Sequence, residues 1–203
     1  DNIIVKSAEI EAGPDLEICE GDQIQLNALG NLTSYAWYPS IDLDNPNIQS
    51  PIANPISDVM FYVYHFDGIC SVMDSVYLMV HNDIPNPSFT SLNKCENDTV
   101  LIFGDAGLNT SNISWNWDFG SNTQNTFFQF PVGNNLVELL VINLDNNCSK
   151  SVSQYIEIHP LPTANYYADN VCYGDSVKFI NNSSLNVSDW EYTLIGQNYN
   201  INL

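Results

Sequence analysis

One short phrase, written three times, limits what this chain can fold into more than any other feature. Ile18-Cys19-Glu20-Gly21-Asp22 runs into Gln23-Ile24-Gln25-Leu26. Lys94-Cys95-Glu96-Asn97-Asp98 runs into Thr99-Val100-Leu101-Ile102, and Val171-Cys172-Tyr173-Gly174-Asp175 into Ser176-Val177-Lys178-Phe179. Each copy reads as a cysteine, a tight polar turn closed by Asp, and an alternating apolar stretch of strand type. Cys19, Cys95 and Cys172 stand 76 and 77 residues apart. Self-similarity at a fixed period marks an array of like units.

The period orders the remaining landmarks. Trp37, Trp117 and Trp190 follow the first cysteine of each copy by 18, 22 and 18 residues. A second cysteine follows by 51 and 53 residues, at Cys70 and Cys148. Closing strands are expected over 74–80 and 151–158, and the opening residues read as the end of one more. Residues 1–10 are thus expected to be the closing strand of a preceding repeat. Residues 11–83 and 84–160 are expected to be whole repeats, and 161–203 a partial third.

Charge narrows the partners. The 203 residues carry 24 acids against four lysines and no arginine, a formal charge of −20. Residues 11–83 hold 11 acids and no lysine or arginine. Phosphate backbones and anionic membrane surfaces need basic contacts, so neither nucleic acid nor direct membrane insertion is expected. Hydrophobic residues make up 44%, enough for globular cores, and no apolar run reaches membrane-spanning length.

Between the landmarks the chain alternates and turns. Val59–Phe66 is a strong strand of β-branched and aromatic residues, with Val59, Phe61 and Val63 on one face and Met60, Tyr62, Tyr64 and Phe66 on the other. The connection 39–58 carries four prolines and is not expected to be helical. In the second repeat, strands are expected over 98–103, 112–118, 126–130, 136–143 and 152–158. Pro85-Asn86-Pro87 and Pro160-Leu161-Pro162 read as stiff hinges. Short strands with turns between them predict an all-β chain of β-sandwich units.

Trp115-Asn116-Trp117-Asp118-Phe119-Gly120 is the most specific string. It resembles the WDFG core of PKD domains, immunoglobulin-like β-sandwiches that serve as spacers in cell-surface proteins. The family continues with Asp-Gly, where this chain has Ser121-Asn122. Around Tyr35-Ala36-Trp37-Tyr38-Pro39 the first repeat is closer to the Ig-like variant, and the third has Trp190-Glu191-Tyr192 at this place. The cysteine spacing resembles arrays in very large surface adhesins of gliding bacteria, exported by the type IX secretion system. The resemblance implies tandem Ig-like (PKD-type) sandwiches in an extended array, with Trp37, Trp117 and Trp190 in the cores.

Matched spacing of the five cysteines suggests disulfides and an oxidising, extracellular setting. The order within each repeat permits Cys19–Cys70 and Cys95–Cys148, leaving Cys172 unpaired within this chain. The other reading is five reduced thiols. A loop of about 50 residues closed this way contributes roughly 4 kcal/mol in the chain-entropy model. For metal, Asp15 and Asp22 crowd the entrance of the first repeat, and Asp42 and Asp44 space oxygen ligands at alternate positions. Weak Ca²⁺ binding there is one expectation and a solvated acidic surface the other, since the calcium-loop glycine and distal glutamate are missing. No nucleophile–base arrangement, phosphate loop or zinc pair is present, so catalysis is not expected.

Two functions remain. The first is a stalk of structural repeats in a secreted cell-surface adhesin. Its partners are neighbouring repeats, with surface glycans or other cell-surface proteins beyond them. The second is a carbohydrate-binding module of a polysaccharide-processing protein. An exposed aromatic row at Tyr62, Tyr64 and Phe66 separates them, because an array made only of spacers is expected to bury its large aromatics.

Overall fold

A computed structural model describes residues 9–30, 32–66, 70–92, 94–184 and 191. Residues 1–8 of the closing strand expected over 1–10, and Trp190, lie outside the described residues.

Six strands build the first repeat: β1 Leu16–Cys19, β2 Ile24–Gln25, β3 Ala36–Tyr38, β4 Ile52–Ala53, β5 Val59–Phe66 and β6 Ser71–His81. Six more build the second: β7 Ser88–Leu92, β8 Val100–Asp105, β9 Ile113–Trp117, β10 Asn125–Phe128, β11 Gly133–Asn143 and β12 Ser149–Ile158. In both, the third, fifth and sixth strands share one sheet, while the second pairs with the fourth. That division is the immunoglobulin-like one. The repeats differ in their first strand. β1 lies parallel to β6 and joins the larger sheet, whereas β7 pairs antiparallel with β8. Of the third segment, β13 Tyr166–Ala168 and β14 Phe179–Asn181 form an antiparallel pair.

Alternation explains the cores. On β5 the even positions face out, and Phe61, Val63 and His65 face in. They meet Val76, Leu78 and Val80 of β6 and Trp37 of β3 in the same sheet, with Leu26, Ala28 and Ala53 from the opposite side. Leu26 and Ala28 are fully buried although β2 is only two residues long. Their N–H groups donate to Pro51 and Gln49 carbonyls at 2.9 and 3.1 Å, so the 39–58 connection supplies the partner edge and contains β4. Ile10 packs in this core and Glu11 bridges Leu29, so the first repeat takes in a residue expected to belong to its predecessor.

The second core is separate. It gathers Phe89, Val100, Ile102, Trp117, Val137, Leu139, Val141, Ile156 and Ile158. Trp37 and Trp117 are 3% and 4% exposed. Their indole N–H groups donate to the carbonyls of Ile48 and Thr123 at 3.0 and 2.9 Å. A buried Trp needs such an acceptor, and neither ring is offered to solvent for stacking. Past β9 the chain turns sharply. Gly120 N–H donates to Trp117 O at 2.9 Å, with Gly120 at φ 92°. This turn sends Asp118 to the surface and sets Phe119 against Trp117, Phe128 and Phe130, with centroids 5.7, 4.8 and 5.9 Å away.

Candidate functional site: the junction between repeats and an open aromatic face

The threefold phrase forms the same turn three times. The N–H of Asp22, Asp98 and Asp175 donates to the carbonyl of Cys19, Cys95 and Cys172 at 3.0, 3.1 and 3.1 Å. The third residue of each turn has positive φ: Gly21 92°, Asn97 67° and Gly174 97°. Glycine and asparagine tolerate that region, which accounts for their place in the phrase.

What precedes the turn decides where its thiol goes. Because β1 runs parallel to β6, Cys19 aligns with His81, the last residue of β6. Cys95 likewise makes an isolated parallel bridge with His159, just past β12. The second cysteines sit at the other end of these strands: Cys70 immediately precedes β6, and Cys148 immediately precedes β12. Strands of 11 and 10 residues separate the two ends, a span of about 33 Å at 3.3 Å per residue. A disulfide needs Cα atoms within about 7 Å. The pairings expected within repeats, Cys19–Cys70 and Cys95–Cys148, are therefore corrected: each would join opposite ends of a sandwich.

The structure pairs Cys19 with Cys148, with Cα atoms 5.8 Å apart and a sequence separation of 129. This disulfide crosses from the exit end of the first repeat to the β11–β12 turn of the second. Cys148 is completely buried there. Cys95 and Cys172 are exposed thiols.

Hydrogen bonds fasten the same junction. Asn143, buried at 2%, donates its amide to the Asp83 carbonyl at 3.0 Å. Asn146 donates to the same oxygen at 3.3 Å. Asn143 Oδ1 accepts from Asp145 N–H at 3.1 Å, and Asn146 Oδ1 accepts from Cys148 N–H at 2.9 Å. The linker N–H of Asn86 donates to Ala106 O at 2.8 Å. A Cβ at Gly107 would come within 2.6 Å of Asn86 O, and Gly107 is at φ 66°. On the first-repeat side, His81 Nε2 lies 3.1 Å from Glu17 Oε2. Two open polar clefts flank the disulfide, one along His81, Asp83, Thr110, Asn143 and Asp145, the other along Glu17, Asp22, His81 and Asn146.

The acids proposed for calcium are spread out and employed otherwise. Asp15 Oδ1 accepts from Tyr77 N–H at 2.9 Å, and Asp44 Oδ1 from Asn45 and Ile52 N–H, both at 2.7 Å. Asp42 sits at φ 68° with its carbonyl accepting from Asn54 N–H, and Asp22 closes the cysteine turn. Among the described residues no three His, Cys, Asp or Glu side chains converge as a metal site requires. The carboxylates of Asp15 and Asp44 are thus engaged by backbone N–H groups, while Asp42 and Asp22 enter their turns through backbone atoms.

A second feature is the outer face of the sheet β1-β6-β5-β3. Met60, Tyr62, Tyr64 and Phe66 line β5. Register sets Tyr38 beside Tyr62, and Met73 beside Tyr64. Tyr38 and Phe66 are each 64% exposed, and Tyr64 40%. Of the row meant to separate the two functional readings, Tyr64 and Phe66 are open to solvent and Tyr62 is half-buried.

No protein-family profile and no curated protein sequence matches the chain. Among solved structures, a SusE-like surface-located polysaccharide-binding protein of Bacteroides thetaiotaomicron matches over 76% of this chain and 34% of its own, at 12% identity and TM-score 0.37. The fibronectin(III)-like modules of CbhA from Clostridium thermocellum match at 11% identity and TM-score 0.36, over 76% of this chain and 95% of theirs. Three N-terminal domains of the outer capsid protein Hoc of bacteriophage RB49 match at 19% identity and TM-score 0.35, over 88% of this chain and 68% of theirs. The chain spans about a third of the first of these proteins. These likenesses are too distant to speak for a ligand. The class is set by the fold itself: an all-β chain of immunoglobulin-like sandwich repeats.

Proposed function

We propose that these repeats are non-catalytic structural units of a secreted cell-surface protein, forming a stalk that carries a distal binding site. One observation carries the reading: the Cys19–Cys148 disulfide joins neighbouring repeats rather than closing either one. A crosslink placed there adds nothing to the closure of a single sandwich and fixes the angle between two. The hydrogen bonds of Asn143 and Asn146 to Asp83 act in the same sense. A disulfide also fits an extracytoplasmic location. The finer reading, a gliding-motility-type adhesin exported by the type IX system, rests on the motif resemblance alone. Strands of up to 11 residues plus turns give each sandwich a length of about 35–40 Å. Small-angle scattering on the oxidised chain is expected to give a maximum dimension of roughly 90–100 Å on the same strand rise. A particle near 60 Å, with the repeats folded side by side, would overturn the stalk.

The open aromatic face favours a second role, glycan binding along the side of the first repeat. Tyr38, Tyr62, Tyr64 and Phe66 offer flat rings beside one another, and no lysine or arginine stands in residues 11–83 to attract an acidic sugar. Neutral polysaccharides are the class this face suits. Affinity electrophoresis through neutral glucans, mannans and xylans tests it. Retardation that is lost in Tyr64→Ala and Phe66→Ala supports the role. Equal mobility in every gel removes it.

A further inference from the structure

The chain has three methionines, Met60, Met73 and Met79, and all three stand on the outer face of the sheet β1-β6-β5-β3. Alternation puts them there. On β5 the even positions face out, Met60 among them, and on β6 the odd positions, Met73 and Met79 among them. Neither core contains a methionine. Register then sets two of them within the row of rings. Met73 stands directly opposite Tyr64, and Met60 directly opposite Tyr77. Residues facing each other across two strands have Cβ atoms about 4.5–5.5 Å apart. Met60 also precedes Tyr62 by two positions on one strand, hence on the same face. Met73 is 55% exposed and Met60 40%, whereas Met79 is half-buried beside Glu17 of β1. Two thioethers thus lie open among the rings, and the third is sheltered.

A thioether is apolar until it is oxidised, and its sulfoxide is polar. Stacking a sugar on a ring removes water from both, and a sulfoxide beside Tyr64 holds water in that contact. We propose that Met73, and after it Met60, are sulfoxidation sites that turn off ligand binding by the aromatic face. The proposal rests on the glycan-binding reading above and adds its regulation. The oxidant is hydrogen peroxide. The sulfur lone pair attacks one peroxide oxygen, the O–O bond breaks, and an S–O bond forms. Sulfur loses two electrons, the peroxide gains them, and one water leaves for each sulfoxide made.

The full chain, with its thiols alkylated beforehand, is treated with hydrogen peroxide and quenched with catalase at intervals. Peptide mapping reads one added oxygen at each methionine. Met73 is expected to react first, Met60 next and Met79 last, following exposure. Trp fluorescence checks that the sandwiches stay folded, since Trp37 and Trp117 are buried. Each sample then runs through a gel holding the neutral glycan that retards the untreated chain. Retardation is expected to fall in step with Met73 oxidation and to return after treatment with methionine sulfoxide reductases. It is expected to survive peroxide in the double variant Met60→Leu and Met73→Leu, because leucine nearly conserves the volume and carries no sulfur. Retardation that persists with Met73 oxidised, or is lost equally in the double variant, overturns the proposal and leaves the glycan reading in place. So does Met79 reacting ahead of Met73, or a loss that tracks unfolding in the fluorescence. An untreated chain that no glycan retards removes the glycan reading itself, and the proposal with it.

Discussion

At the scale of single residues the junction depends on small groups with no room to spare. Gly107 is the sharpest case, since a methyl there meets the linker carbonyl of Asn86 at 2.6 Å from a backbone that already favours glycine. Gly107→Ala is expected to destabilise the second repeat by about 1–3 kcal/mol, the usual range for overpacking. Urea denaturation followed by Trp fluorescence reads that loss. Asp58 and Tyr77 make a second test. Asp58 accepts from Val80 N–H and from the Tyr77 hydroxyl, both at 2.8 Å. The Val80 N–H first, and then the Tyr77 hydroxyl, hold the carboxyl below its ordinary 3.8, and the carboxylate in turn pushes Tyr77 above 10.0. A depressed acid contributes stability that is complete above its unfolded value and lost as pH falls through the folded one. A raised phenol contributes below its unfolded value and loses it as pH rises through the folded one. The clasp is therefore intact between those limits. Asp58→Asn is expected to flatten the acid limb of the melting temperature below pH 4, while Tyr77→Phe flattens the alkaline limb above pH 10. Unchanged limbs in both variants would show that the clasp contributes nothing.

Secondary-structure elements show how far the sequence could be read and where reading stopped. β5 was legible down to its two faces, because alternation of Phe61 and Val63 with Tyr62 and Tyr64 is a period-two signal. β11 and β12 were legible in their apolar halves and ran longer than expected, since polar stretches such as Gly133-Asn134-Asn135 carry no periodicity yet still complete the ladder. β1 and β4 were missed. Each is short, and each exists only through a partner far away in sequence, β6 or β2. That omission cost the disulfide pattern. Spacing orders cysteines along the chain but not by the end of the sandwich they occupy. Only the parallel alignment of Cys19 with His81 shows that Cys70 is a full strand length away. The row Tyr62, Tyr64, Phe66 was visible in the sequence, but its exposure depends on how little of the described chain packs over that sheet. β1 itself is open to test. Ile18 is its buried anchor, 8% exposed. Ile18→Ala is expected to cost about 2–4 kcal/mol and, by loosening β1, to slow oxidation of Cys19 with Cys148. Stopped alkylation during refolding measures that rate, and an unchanged rate would separate the strand from the staple.

For the molecule as a whole, the crosslink alters what the ends of the chain can feel. A pull on the two termini reaches Cys19 from one side and Cys148 from the other, and the sulfur bridge joins them directly. Everything from residue 20 to 147 lies off the load-bearing path. That excluded span includes most of the first core and much of the second. At about 3.5 Å per extended residue, the 129-residue separation holds back roughly 450 Å of contour length. Single-molecule stretching of the oxidised chain is expected to show extensions short by that amount, recovered when a reductant is added. An equal contour length with and without reductant would mean that the bridge does not carry the load. The repeats thus have a hidden length that redox chemistry, rather than force alone, controls.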